Sequence, residues 1–238
     1  MKRLKILIQL GLILVFAFGC GPAKFVYKSP EIESPKGSGL VLAYRNVEDQ
    51  REDRKIDEAY KSKNPVKDVE RIIEEEIRST GLFEKVFLVS EEQLNDQSYL
   101  KENNVRFLMG SVLKELKWEV PKYGAKVTGA MAATFLTGLI GGLIYGSINT
   151  DVNGNIILKV SVTDVSTGKL YIDKEYVGRC TERKAMLSCD TPETKATVVG
   201  NSLKSAMDQF KSDLIEVVNG RSNETARESS GQPPESGK

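Results

Sequence analysis

The chain has 238 residues, with 34 Lys or Arg against 33 Asp or Glu, 40% hydrophobic and 28% charged residues. That is a globular composition with room for one sizeable domain or two small ones. Histidine is absent, so no imidazole can serve as general base, proton shuttle or metal ligand. Ser-His-Asp and Cys-His hydrolases and His-bearing zinc sites are thereby excluded. The near-neutral balance argues against nucleic-acid binding, which usually shows a basic surplus on one face.

Residues 1–20 read MKRLKILIQLGLILVFAFGC. Lys2, Arg3 and Lys5 precede an apolar run broken only by Gln9 and Gly11, and small Gly19 stands directly before Cys20. This is the basic, apolar and small-residue order of an export signal. An uncleaved membrane anchor is the alternative, although the run is short for a span of ~20 residues. Ala17-Phe18-Gly19-Cys20 resembles a bacterial lipobox, which implies that Cys20 is lipidated and becomes the first mature residue. Plain secretion with a free Cys20 is the other alternative. Gly21 is not the Asp that retains such lipoproteins in the inner membrane, so the resemblance implies an outer-membrane lipid anchor with the domain in the periplasm. Loss of the three basic residues of the signal leaves 31 basic against 33 acidic residues, a net charge of −2. Attraction to anionic lipid would then need a local patch.

Residues 21–38 (GPAKFVYKSPEIESPKGS) carry Pro, Gly and polar residues without a period, and are expected to be a flexible tether. Residues 221–238 contain no large apolar side chain and are expected to be a disordered tail. One domain, residues 39–220, lies between them.

Within that domain, residues 39–47 (GLVLAYRNV) suit a buried strand, and the charged stretch 48–63 suits a loop. Asn64-Pro65 opens a helix as N-cap and first-turn proline. Val66, Val69, Ile72, Ile73 and Ile77 form its apolar face, and Gly81 closes it. Residues 85–90 make the second strand and 91–103 a short helix. Residues 105–120 alternate as a long strand, with a bulge expected near 110–113 because the apolar set changes phase. Ile156, Leu158, Val160 and Val162 alternate cleanly, Asp164 to Gly168 form a turn, and 170–177 return as the hairpin partner. Thr191-Pro192-Glu193 opens a long helix carrying Val199, Leu203, Met207, Phe210, Leu214 and Val218, which Asn219-Gly220 is expected to end. The expected fold is α/β (α+β), a two-layer sandwich of a mixed sheet with two long helices.

The string Ser79-Thr80-Gly81-Leu82-Phe83-Glu84-Lys85-Val86 ends the first helix and starts a strand, and Asp164-Val165-Ser166-Thr167-Gly168 forms the later turn. These resemble the GLF-x-x-V and D-x-x-TG segments of a group of bacterial envelope lipoproteins: the YajG-like lipoproteins and, more distantly, the CsgG-like and TolB N-terminal domains. The group's Asp/Arg-rich stretch after strand one has an echo in Asp49-Gln50-Arg51-Glu52-Asp53. The resemblance covers residues 40–218. It implies an α/β envelope domain acting in assembly or transport without catalysis or a cofactor.

Residues 127–148 (VTGAMAATFLTGLIGGLIYGSI) carry no charge, and Ala130, Thr134, Gly138, Gly142 and Gly146 recur every fourth position. As a helix of ~33 Å they would form one stripe for close approach of two backbones, a candidate membrane or homo-oligomer contact. A buried helical hairpin, a Gly-rich loop packed on the sheet, or a disorder-prone linker is the alternative reading. Cys180 and Cys189 are the only cysteines besides Cys20 and flank eight residues between the last strand and the last helix. In an exported chain they are a candidate disulfide, with two free buried thiols as the alternative. Two thiolates without His or further Cys make a poor metal site.

The apparent catalytic motifs fail. Thr167-Gly168-Lys169 has Thr163 where a P-loop needs Gly and Leu170 where Ser or Thr must bind magnesium. Ser98/Lys101 and Ser111/Lys114 have the serine–lysine spacing of penicillin-binding enzymes but lack the companion triplets. Glu74, Glu75 and Glu76 look like a solvated face beside the helix stripe. The sequence thus points to a lipid-anchored envelope accessory protein that binds envelope proteins. The alternative is an oligomeric membrane-inserting component that uses residues 127–148.

Overall fold

Strand β1, Val41–Tyr44, is buried at all four residues. Leu42 and Tyr44 join the main core on one face of the sheet, while Val41 and Ala43 join a smaller core on the other. A strand covered on both faces must be apolar throughout, which is why VLAY shows no alternation. The computed structural model describes residues 27–28, 30–31, 39–59, 64–120, 149–185 and 191–230; of residues 185, 192 and 221–230 it describes the backbone.

After β1 the chain makes a two-residue strand β2, Glu48–Asp49, and a 3-10 turn at Lys55–Ala59, where sequence predicts only loop. Helix α1, Pro65–Ser79, starts with Asn64 at the N-cap and buries Val69, Ile72, Ile73 and Ile77. Gly81, at φ 62°, supplies the left-handed residue that ends it. Strand β3, Lys85–Leu88, then lies parallel to β1. The expected single helix at 91–103 is two short ones, α2 (Glu91–Asn95) and α3 (Gln97–Glu102), because Asp96 caps the second by accepting from the backbone N–H groups of Ser98 and Tyr99. They carry the chain to β4, Phe107–Glu119, which is parallel to β1 on its other side.

The remaining strands, β5 (Asn149–Asp164) and β6 (Leu170–Ala185), continue antiparallel, giving the sheet order β3-β1-β4-β5-β6 with β2 paired to β4. The register of β4 shifts between Leu113 and Glu115. This bulge, just beyond the expected window, lets both Leu113 and Leu116 face the core although they are three residues apart. Asp164 builds the β5–β6 turn. It accepts from the N–H of Ser166 at 2.8 Å and of Thr167 at 3.0 Å, and Gly168 takes φ 69°. The D-x-x-TG segment is therefore an Asp-capped turn.

Helix α4, Pro192–Ser230, packs on β5 and β6 and buries the whole expected stripe from Val199 to Val218. It does not stop at Asn219-Gly220. Gly220 lacks the positive φ that a glycine C-cap adopts, and the helix runs on to Ser230 through residues expected to be a disordered tail. The expected tether is also corrected at one point, since Tyr27 packs against the main core. The architecture is α+β: an open mixed sheet of six strands packed by the long α4, with four helices among the described residues. Among those residues no helix is long and apolar enough to cross a membrane.

Candidate functional site

The carboxylates of α1 are not a solvated face. Tyr44 Oη donates to Glu74 Oε2 at 2.5 Å, Arg78 Nε donates to Glu74 Oε1 at 2.8 Å, and the Val47 N–H donates to Glu70 Oε1 at 2.8 Å. One turn of α1 thereby clamps the exit of β1. Burial, then the Glu74 hydrogen bond, pushes the Tyr44 hydroxyl well above its ordinary pKa. Glu76 is fully buried and receives a hydrogen bond from Lys211 of α4. Burial works against the Lys211 ammonium, but its bonds to Glu76 and Asp208 hold its pKa above the ordinary lysine value. Glu75 bridges Arg71 along the helix at 2.6 Å.

The Asp/Arg-rich stretch after β1 is a knot around Arg51, 5% exposed. Its Nε and Nη2 donate to the two oxygens of Asp49 at 2.8 and 2.9 Å, and Nη1 donates to Asp57 Oδ1 at 2.9 Å. The Arg51 hydrogen bond holds the Asp49 carboxyl below the usual range. Asp164 is likewise buried and pairs with Arg106 at 3.1 Å. Each of these charged groups closes a turn or joins two elements.

The serine–lysine pairs are not assembled. Ser111 is buried within β4, while Lys114 is bonded to Glu175 of β6. Ser98 and Lys101 are both exposed on α3. Thr167-Gly168-Lys169 lies in the β5–β6 turn, away from any strand-to-helix junction. Among the described residues no group of three or more Cys, Asp or Glu is placed to hold a metal ion.

What stands open is a groove of about 630 Å3 between the start of β6 and the later turns of α4. Lys169, Tyr171 and Lys174 line one wall, and Asp213, Glu216 and Val217 the other. Lys174 Nζ and Tyr176 Oη both donate to Asp213 Oδ2 at 2.8 Å. The Lys174 bond comes first in holding the Asp213 carboxyl below its ordinary pKa, and burial with the Asp213 bond raises that of Tyr176. Lys169 sits 4.7 Å over the Tyr171 ring, and Leu170 beside it is 52% exposed. Such a groove offers a hydrogen-bonding wall, an aromatic face and an apolar rim, which suits recognition of another chain. No periodicity in the sequence pairs residues 169–174 with 213–217, so sequence reasoning missed it.

Beyond the groove, the outer face of β4–β5–β6 carries cross-strand pairs: Lys159 with Asp173 at 2.8 Å, Lys114 with Glu175, and Thr181 with Asn153 at 2.8 Å. Cys180 is a free, half-buried thiol inside β6, which extends through Ala185; the strand does not end before Cys180 as expected. Burial, then Glu182, raises its pKa. Cys189, Cys20 and the stripe Ala130, Thr134, Gly138, Gly142 and Gly146 lie outside the described residues.

No protein-family model matches the chain. A search of curated proteins finds no relative. Solved structures give distant similarities. A neuraminyllactose-binding hemagglutinin homolog from Helicobacter pylori is 9% identical over 86% of this chain and 100% of its own, with a TM-score of 0.47. A Xanthomonas campestris protein of the DUF330 family is 9% identical over 85% of this chain and 98% of its own, with a TM-score of 0.45. The lipoprotein GNA1162 from Neisseria meningitidis is 9% identical over 73% and 99%, with a TM-score of 0.27.

Proposed function

We propose that this chain is a lipid-anchored envelope accessory protein, attached to the outer membrane through Cys20, that acts by binding other envelope proteins and carries out no reaction itself. The observation that carries this reading is the use made of its reactive side chains. Glu74, Glu76 and Lys114 are engaged in holding elements together and Ser111 is buried in β4, while the β6–α4 groove, whose walls Asp213 ties through Lys174 and Tyr176, is open and keeps Leu170 and Glu216 exposed to a partner. The lipobox-like end of the export signal supplies the anchor. Feeding cells a labelled fatty acid should label the mature protein, and Cys20→Ala should abolish both label and membrane fractionation. A photo-crosslinking residue at Glu216, exposed on the groove wall, should capture a discrete envelope protein. Failure of label and fractionation to respond to Cys20→Ala overturns the anchor, and a Glu216 probe that captures nothing overturns partner binding there.

One observation favours the oligomeric, membrane-inserting reading. The β4–β5 pairing runs to Glu119 opposite Asn153, so the described residues that flank 121–148, Val120 and Asn149, lie at the same end of the sheet, as a hairpin insertion would require. If the small-residue stripe is a helix–helix contact, Gly142→Leu should reduce a crosslinked oligomer while Leu139→Ala leaves it intact. An unchanged pattern with Gly142→Leu removes this second reading.

A further inference from the structure

We propose that Tyr27 pins the tether to the domain, so that the domain is held against the membrane surface within seven residues of its lipid anchor. The inference rests on the reading of Cys20 as the lipidated residue. From sequence alone, residues 20–39 would be a leash of about 65 Å at full extension. Tyr27, however, packs against the main core, the same cluster that receives Leu40 at the entrance to β1. Its hydroxyl is buried and has no hydrogen-bond partner among the described residues. Burying an unpaired hydroxyl is unfavourable, so the ring's apolar contact must be what holds it there.

With Tyr27 seated, the chain from Lys28 to Gly39 is closed on the domain at both ends. Lys28 and Glu31 are exposed, and Gly39 takes φ 63° directly before the chain enters the sheet. Closing a loop of this length adds an entropic cost that grows only slowly with residue number. Seven residues separate Tyr27 from Cys20, a leash that can span at most about 25 Å. A domain on that leash has the bilayer surface as its permanent neighbour, and its partners must come to the membrane to meet it.

Two measurements test the two halves of the proposal. In a chain that starts at Gly21, free of signal and lipid, trypsin cleavage after Lys28 should be slow, because a protease needs a stretch of undocked chain around the bond. Tyr27→Ser should speed that cleavage at least tenfold, and Tyr27→Phe, which keeps the ring and removes the unpaired hydroxyl, should be cleaved no faster than the Tyr27 chain. Unfolding followed by the single Trp118 confirms that the variants remain folded. An unchanged rate in Tyr27→Ser overturns the pin. For the membrane half, a donor dye is placed on Glu84→Cys, whose backbone N–H bonds Leu40 at 2.9 Å, with Cys180 and Cys189 replaced by Ser. The lipidated chain in phosphatidylethanolamine–phosphatidylglycerol vesicles holding an acceptor lipid should show at least twofold greater energy transfer than its Tyr27→Ser counterpart. Equal transfer with a demonstrated pin overturns the membrane half. If a chain that starts at Gly21, with neither signal nor Cys20, still floats with vesicles, the anchor reading fails and the membrane half falls with it, while the cleavage ratio still decides the pin.

Discussion

Replacing Gly178 by Ala tests the contact that sets how closely α4 lies on the sheet. A Cβ built at Gly178 falls 1.8 Å from Ser202 O, 2.8 Å from Ser202 C and 2.9 Å from Ala206 N. All three atoms belong to the α4 backbone, so no rotamer change can relieve the clash. Ordinary contact begins near 3.4 Å, so the helix has to move by about 1.6 Å. Overpacking a core costs about 1–3 kcal/mol where side chains can adjust. Here Leu203, Met207, Phe210 and Tyr176 would all lose contact as the helix lifts. We expect a loss of about 3 kcal/mol or more, a fall of roughly 6–12 °C in Tm for a domain of this size. Urea unfolding of the Cys20→Ala chain, followed by Trp118 fluorescence and far-UV circular dichroism, measures it. Ser202→Gly should not rescue Gly178→Ala, because it leaves the offending carbonyl in place. It should relieve only one contact of Gly154→Ala, whose Cβ would meet Ser202 Oγ at 2.6 Å but also Val198 Cγ1 at 2.6 Å and the Val198 carbonyl oxygen at 2.7 Å, so any rescue there should be small. A loss below about 1 kcal/mol in Gly178→Ala at an unchanged m-value would refute the close approach.

Gly220 carries the opposite sign. It has open space around it and no left-handed φ, so Gly220→Ala should stabilise the fold by about 0.5–1 kcal/mol if α4 passes through it; a loss of stability in the same urea assay would mean that the helix ends there. Arg51→Lys should cost about 2–3 kcal/mol, because an ammonium cannot reproduce the fork that binds Asp49 and Asp57 together; a midpoint shift no larger than that of an exposed Arg54→Lys control would show that the knot contributes little. Of the eight tyrosines, Tyr44 and Tyr176 should stay protonated past the pH at which exposed tyrosines ionise. Their folded pKa values lie above the unfolded value, so their contribution to stability is complete below about pH 10 and is lost as pH rises towards the folded values. Absorbance at 295 nm should therefore show part of the tyrosine ionisation appearing only together with unfolding, and complete ionisation of the tyrosines before unfolding contradicts this.

Most of the fold could be read from local pattern. The α4 stripe from Val199 to Val218, the β5 alternation, the Asn64-Pro65 start and the Gly81 stop of α1 are signals carried within a few residues of the structure they specify. The misses share one cause. Asn219-Gly220 has the composition of a helix stop, yet a glycine ends a helix only by taking a left-handed φ, and composition does not say whether it will. The hairpin partner is expected to end at residue 177, and Gly178-Arg179-Cys180, which follow, continue no apolar alternation. The glycine is there to admit the backbone of α4, and that helix comes from a later part of the chain. Tyr27 falls in the expected tether because Phe25-Val26-Tyr27 is a short apolar patch without a period among Lys, Ser and Pro. One aromatic ring seated in a core overrides a polar context.

The acidic triplet of α1 shows why the site was harder to read than the fold. Helical spacing places Glu76 within the apolar stripe, between Ile72 and Ile73 around the helix, and there a carboxylate can be buried only if a cation reaches it. That cation, Lys211, lies 135 residues away on another helix, with Lys204 on the same helix 3.8 Å from the other Glu76 oxygen. The pairing therefore depends on how α4 crosses α1, and the crossing is set by Gly154 and Gly178 beneath α4. Two glycines that read as strand breakers thus govern where α4 lies. They thereby determine whether Glu76 is satisfied, and whether Asp213 reaches Lys174 and Tyr176 at the groove. The groove depends on the same close approach as the core, so a substitution at Gly178 should disturb partner capture at Glu216 even where the chain remains folded.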